Sequence, residues 1–346
     1  MSWLSDNFIS RFFMVVINLF AAMTGNYIVS IVVFTFVIKI VLLPLDIKQR
    51  NSTKKMQMLQ GKVKQVQERY KHDQQLMAIK LRELYKKENV SPSAGCLPAL
   101  LQMPIMFAMF GAVRMLSNVQ ILEYVSELMK DPAAALPSTL WVRNIWQPDT
   151  GTANVMPALA QFSTLFSQSG ERLSSGVYEQ ISMLLSNSSI NQLAITAAKM
   201  QEGSFFYSAV NGTLSGIDPS VVKAAASMNY NAVVGPLLAQ YEGLANGYFV
   251  FPVMAGAAMF LSTWLPQHMQ KKSGKEVDKS ADPASNMQGF MLYIMPLMII
   301  WISTTTAVPF SIYYIASSAF TIFQFFFLRA LDKRKSKGQE NQVVKA

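Results

Sequence analysis

GFMLYIMPLMIIWISTTTAVPFSIYYIASSAFTIFQFFFL, residues Gly289 to Leu328, is a run of 40 residues without one charged side chain. A bilayer core takes about 20 predominantly apolar residues per helix, so the run is twice too long for one span and must hold two. The break is expected in Thr304-Thr305-Thr306-Ala307-Val308-Pro309, because Pro309 cannot donate a helical hydrogen bond. Spans over 289–307 and 309–328 follow. Upstream, windows of the same kind occur at 27–45, 97–116 and 248–266, which predicts an all-α integral membrane protein with five transmembrane helices.

Composition agrees. The 346 residues are 51% hydrophobic and 14% charged, against roughly 25% charged in an ordinary soluble domain, yet Lys and Arg number 30 against 20 Asp and Glu. A DNA-binding protein would carry the positive charge without the apolar excess, and a soluble enzyme would not need 22 Phe and 22 Met. Cys96 is the sole cysteine, and His72 and His268 are the two histidines. No disulfide framework, metal centre or cofactor is therefore expected.

The basic residues are sided. Twelve fall in 46–95, four in 267–288 and six in 329–346, whereas 117–247, longer than those three together, holds five. Cytoplasmic segments attract the Lys and Arg excess, and five spans place all three basic segments on one face. The amino terminus is thus expected outside and the carboxyl terminus inside. The net charge of +10 divides into +12 for cytoplasmic segments, −4 for outer ones and +2 from Lys39 and Arg114 within spans. Arg114 is expected to snorkel outward. Residues 1–26 include the short apolar stretch Phe12 to Met23. It reads as a cleaved signal or, lacking Ala-x-Ala around Ala21-Ala22, as a helix in the outer membrane interface. Ser93-Ala94-Gly95-Cys96 is only a faint lipoprotein box, and Cys96 reads as the start of the second span.

Segment 46–95 is charged but periodic. Met56, Leu59, Val63, Val66 and Tyr70 step by 3 and 4, and Met77, Leu81 and Leu84 resume the step after the turn Lys71-His72-Asp73. That spacing predicts a helical hairpin with a coiled-coil seam, each arm about 20 residues and about 30 Å long. Its basic residues Lys54, Lys55, Lys62, Lys64, Arg69 and Lys71 would meet anionic lipid headgroups, RNA or an incoming polypeptide. The plainer reading is a solvated linker satisfying the sidedness rule.

Lys39 lies inside the first span, six residues before Leu45. A centred Lys costs about 2.5 to 3.5 kcal/mol, so such a residue usually faces a cavity or a partner. Either its stem snorkels to the headgroups or its charge stays solvated in a wet recess. The five windows hold no acidic residue, which speaks against a carboxylate-coupled proton relay. Thr35, Gln102, Thr304, Tyr313, Tyr314, Ser317 and Ser318 are candidates to line such a recess, although each is also an ordinary helix-packing residue.

Several short motifs now combine. Gly25-Asn26-Tyr27, Leu42-Leu43-Pro44-Leu45, Ser52-Thr53-Lys54-Lys55-Met56-Gln57, Gly95-Cys96-Leu97-Pro98, Leu101-Gln102-Met103-Pro104-Ile105, Trp141-Val142-Arg143-Asn144-Ile145, Tyr293-Ile294-Met295-Pro296 and Tyr313-Tyr314-Ile315-Ala316-Ser317-Ser318 with Gln324 occur in order. Together they resemble the YidC/Oxa/Alb family of membrane protein insertases over about residues 4 to 148 and 248 to 334. The resemblance implies a non-enzymatic insertase and chaperone of the bacterial plasma membrane, without cofactors. Its groove, open to the cytoplasm and to lipid, would carry hydrophilic segments of nascent membrane proteins, alone or beside the Sec translocon and the ribosome. Lys39 falls where that family usually has Arg in the groove, and Pro309-Phe310-Ser311 stands where it commonly has Pro-Ser-Gly.

The outer segment 117–247 contains an insertion, about 147–246, that this core does not require. It reads as helices over Pro157 to Ser167, Arg172 to Ser186, Ile190 to Gln201 and from Asp218-Pro219 to Met228. A stabilising helical cap or a docking surface is expected there. Asn187 and Asn211 open two Asn-x-Ser/Thr patterns, read as chance. The competing functions are a solute or ion transporter, which would more often show inverted repeats, and a passive assembly scaffold.

Overall fold

The structure, a computed structural model, describes residues 7–89, 97–185, 219–271 and 283–343. Among these, the regular elements are helices: α1 (Phe8–Thr24), α2 (Tyr27–Arg69), α3 (Gln74–Lys87), α4 (Leu97–Leu128), α5 (Leu159–Ser169), α6 (Ser175–Leu185), α7 (Pro219–Gln240), α8 (Val250–Lys271), α9 (Pro283–Ser303) and α10 (Val308–Val343). Three are long and apolar enough to cross a bilayer, within Tyr27–Ser52, Gln102–Leu128 and Val308–Leu331. The other two expected spans fall on α8 and α9, of 22 and 21 residues. The expected helix Ile190 to Gln201 and the Asn187, Asn211 and Cys96 sites lie outside the described residues. The chain forms two compact units: Met1–Gly111 with Phe251–Ser303 and Pro309–Ala346, and Ala112–Val250 with Thr304–Val308.

In the first unit the chain enters through a two-residue corner. Gly25 closes α1 in the left-handed region, φ 67°, and its N–H donates to the Ala21 carbonyl. Only glycine takes that conformation without a Cβ penalty. Asn26 then caps α2 by accepting from the N–H groups of Ile28 and Val29. α1 lays Phe13 edge-on against Phe34 of α2, with ring centroids 5.0 Å apart, while Phe8, Phe12, Val15, Leu19 and Met23 stay exposed on its other side. Such a one-sided apolar stripe suits a membrane interface.

α2 departs from expectation. It runs through Pro44 for 43 residues, about 64 Å, so the membrane span and the first hairpin arm are one rod. The proline ring sits on the exposed side, where the freed carbonyl one turn back has no packed neighbour to disturb. The second arm, α3, has only 14 residues. Leu59 and Val63 form the buried centre of the hairpin against Leu81, Leu84 and Tyr85, and Asp73 caps α3 at the Leu76 N–H.

α10 begins at Val308, after α9 has ended at Ser303, so the 40-residue run breaks where the threonines and Pro309 predict it. Pro309 sits in the first turn of α10, where its missing N–H costs nothing. α10 packs on α2 through Phe36 and Phe320, 5.9 Å apart, and on α4 through Phe110 and Phe310, 6.1 Å apart. α8 meets α9 at Gly256, where a Cβ would lie 2.3 Å from Ile300 Cγ1 and 3.1 Å from the Pro296 carbonyl oxygen. Close approach of these two helices requires the glycine.

The second unit is built on the later half of α4. The expected span ended at Leu116, but the helix continues to Leu128. Leu116, Ile121, Leu122, Val125 and Leu128 are buried along it. The sequence turns polar after Leu116 because Asn118 and Ser126 meet protein partners, the Ser169 hydroxyl and Gln180. Arg114 is exposed and reaches Gln168 at 3.5 Å. α7 extends to Gln240, well past the expected end at Met228. Its Tyr230 ring packs tilted against Phe162 of α5, centroids 4.8 Å apart, and its hydroxyl donates to the Pro157 carbonyl.

Candidate functional site: a polar stripe on the first membrane helix

At about 100° per residue, Thr35, Lys39, Leu42, Asp46, Gln49 and Arg50 fall within about 100° of arc on α2. Thr35 and Gln49 are buried, while Lys39, Leu42, Asp46 and Arg50 are half-buried. Phe36, Val37, Ile40, Val41 and Leu45, on the remaining arc, are exposed. A soluble helix hides its apolar side and shows its polar one; this one does the reverse, as a helix bordered by lipid must.

Lys39 therefore does not stand alone on its helix. Asp46, seven residues on, and Arg50, eleven on, share its side of the same unbroken helix. Reading the span as ending at Leu45 concealed this, since Asp46 was the first residue outside the window. The signal was available as the spacing of 7 and 4 along a helix not interrupted by its proline. Thr35 spends its hydroxyl hydrogen on the Ile31 carbonyl at 2.6 Å.

The other expected lining residues divide. Tyr313, Tyr314, Ser317 and Ser318 are buried on α10, with Tyr313 and Tyr314 edge-on at 5.1 Å. Gln102 of α4 is half-buried and faces Tyr314. Thr304 belongs to the second unit and is half-buried there. Ser311 and Gln324 on α10 carry buried polar atoms with no hydrogen-bond partner among the described residues. An unsatisfied buried polar group costs about 1 to 3 kcal/mol. The buried side of α10 is thus a polar seam, and Ser311 and Gln324 are members that residue-type reasoning did not select.

On the hairpin, Lys55, Lys62, Arg69 and Lys71 are exposed and Lys64 is half-buried; the Lys54 side chain lies outside the described residues. Lys62 joins the arms through Glu88, 2.5 Å away, and holds that carboxyl below the ordinary carboxylate range. Lys64 lies 3.8 Å from Glu68.

In the second unit, the tryptophan segment, residues 141–145, is clasped to the end of the insertion. The Asn246 side chain accepts from the Asn144 N–H at 2.8 Å and donates to the carbonyls of Asn144 and Pro148, each at 2.9 Å. Asp149 accepts from Trp141 Nε1 at 3.1 Å and from the Tyr248 N–H at 2.7 Å. Arg143 reaches the Ala245 carbonyl and lies over the Tyr248 ring, 5.8 Å from its centroid. The Ile145 carbonyl accepts from the Val308 N–H at 3.1 Å, which fastens the link between α9 and α10 to the same segment.

A model of the 60Kd inner membrane protein family matches residues 19–229 and 220–336. The chain belongs to this family. It is 42% identical over 108 residues to a membrane protein insertase YidC of Fusobacterium nucleatum, covering 31% of this chain and 53% of that one. It is 32% identical over 143 residues to one of Clostridium perfringens, 41% and 53% of the two chains. A relative of the same name in Francisella philomiragia is 34% identical over 161 residues, 45% of this chain and 29% of its own length. The matched stretches thus span about half, or less, of these relatives. Membership of the 60Kd family and the apolar helices make this an α-helical membrane protein, and both the polar stripe and the tryptophan segment lie inside the matched region.

Proposed function

We propose that the protein is a membrane protein insertase and chaperone of the bacterial plasma membrane. The observation that carries this reading is the polar stripe on α2, whose charges run from mid-span to the cytoplasmic end beside a lipid-facing apolar arc. The names of its relatives, membrane protein insertase YidC, support it. A hydrophilic segment crosses hydrocarbon at a cost of several kcal/mol for each unsatisfied polar or charged group. A wet face reaching partway into the bilayer shortens that crossing. Lys39 draws acidic segments into it, Gln102 and the α10 seam of Tyr313, Tyr314, Ser317 and Ser318 offer polar partners, and the substrate's apolar helix leaves into lipid. No covalent bond changes, so the step is not enzymatic.

In this reading α2, α4, α8, α9 and α10 are the five spans, with the amino terminus outside. The basic hairpin faces the cytoplasm, where anionic lipid, the ribosome and the Sec translocon are available partners. The α10 seam is buried at rest, so its polar atoms become available only as helices part around a substrate.

Reconstitution tests the proposal. Proteoliposomes holding only this protein are expected to insert a small single-span substrate faster than protein-free liposomes, read by protease protection of the translocated tail. Equal rates would remove autonomous insertion. A solute flux through the same vesicles would instead favour a transporter.

A further inference from the structure

We propose that Asp46 is the resting counter-charge of Lys39 and that it sets the preference of the site between acidic and neutral polypeptide tails. The inference rests on the insertase reading for its biological meaning, but the charge relation stands on the helix itself. Lys39 and Asp46 are seven residues apart on an unbroken helix, about 10 Å along the axis and within about 20° of the same line. A lysine stem is long and flexible enough to close much of that distance. Both are half-buried, where charges are screened less than in open water. Arg50 lies one turn beyond Asp46, in the favourable order of acid before base at i and i+4. The stripe therefore alternates plus, minus, plus, and carries one net positive charge rather than two.

This arrangement has a functional consequence. An acidic tail arriving from the cytoplasmic end meets Arg50 first, then must compete with Asp46 for Lys39. Asp46 repels the incoming carboxylates and occupies the field of the cation they seek. A neutral polar tail feels neither effect strongly. Asp46 thus lowers the affinity for acidic segments and keeps Lys39 from holding them after insertion, a selectivity achieved by repulsion as well as attraction.

Asp46→Asn tests the assignment, since it keeps the shape and removes the charge. The probes are a fluorescent oligo-aspartate peptide and its oligo-asparagine counterpart, titrated onto the full chain in nanodiscs of neutral lipid at low salt. Asp46→Asn is expected to bind the acidic peptide on the order of fivefold more tightly, with the neutral peptide unchanged. The gain should shrink at high salt and vanish in the Lys39→Gln background. Unchanged binding of the acidic peptide would overturn the proposal. So would an equal gain in the Lys39→Gln background, which would assign Asp46 to Arg50 alone. Because this readout is equilibrium binding, it is decided even if the proteoliposomes insert nothing; a failure of insertion with the binding difference intact would count against the insertase reading only.

Discussion

Lys39→Glu is expected to stop insertion of a substrate whose translocated tail is acidic, while Lys39→Arg retains it and Lys39→Ala falls between. The attraction between unit charges about 8 Å apart is about 2 kcal/mol at an effective dielectric of about 20. Reversing its sign turns this into a repulsion of similar size, and the new carboxylate also shares its helix face with Asp46. Loss on the order of tenfold or more in rate follows. Arg preserves the charge and adds a planar donor fork. The measurement is the initial rate of tail protection in proteoliposomes for two substrates differing only in tail charge. If the acidic and neutral substrates respond alike to all three variants, Lys39 merely snorkels and its charge has no role in the groove.

The second large effect is expected at Gly247, in the second unit. A Cβ there would stand 1.9 Å from Asp149 Oδ1 and 3.0 Å from its Cα. Asp149 cannot simply swing away, because its carboxylate accepts from both Trp141 and the Tyr248 N–H. Gly247→Val must therefore open the clasp, and with it the neighbouring Asn144 and Asn246 bonds. The cost should be about 3 kcal/mol, the upper end for overpacking a tight site. Gly235→Ala is the control, since a Cβ at that position on α7 meets nothing within 4 Å and alanine is the better helix former. Gly247→Val should become sensitive to limited proteolysis of the second unit and unfold several degrees earlier; Gly235→Ala should do neither. Wild-type resistance in Gly247→Val would show that the clasp contributes little.

Local chemistry was the legible part of the sequence. The threonines and Pro309 placed the break in the long apolar run because both act within one turn. Lys39 drew attention because a charge inside an apolar window is costly wherever it sits. Asp46 escapes a reading by apolar windows because the first window closes at Leu45, one residue short of it. A proline on the exposed side leaves the helix intact, and Asp46, seven residues after Lys39, then belongs to the same stripe. Hydropathy also stopped the second span at Leu116, although the helix goes on to Leu128. Hydropathy marks where hydrocarbon ends, whereas a helix ends where its packing and capping end. The clasp could not be read at all: Asn144 and Asn246 are 102 residues apart, and no periodicity connects them.

The wet stripe itself is tested most directly by cysteine labelling at matched depths. With Cys96, the sole native cysteine, replaced by Ser, single cysteines are placed at positions 39, 42 and 46 on the stripe. A second set at 37, 41 and 45 lies within about 3 Å of the same depths, off the stripe. A membrane-impermeant maleimide added from the cytoplasmic side should label all three stripe positions and spare positions 37 and 41. Equal labelling of the two sets, or none at 39 and 42, would contradict a water-filled face on α2.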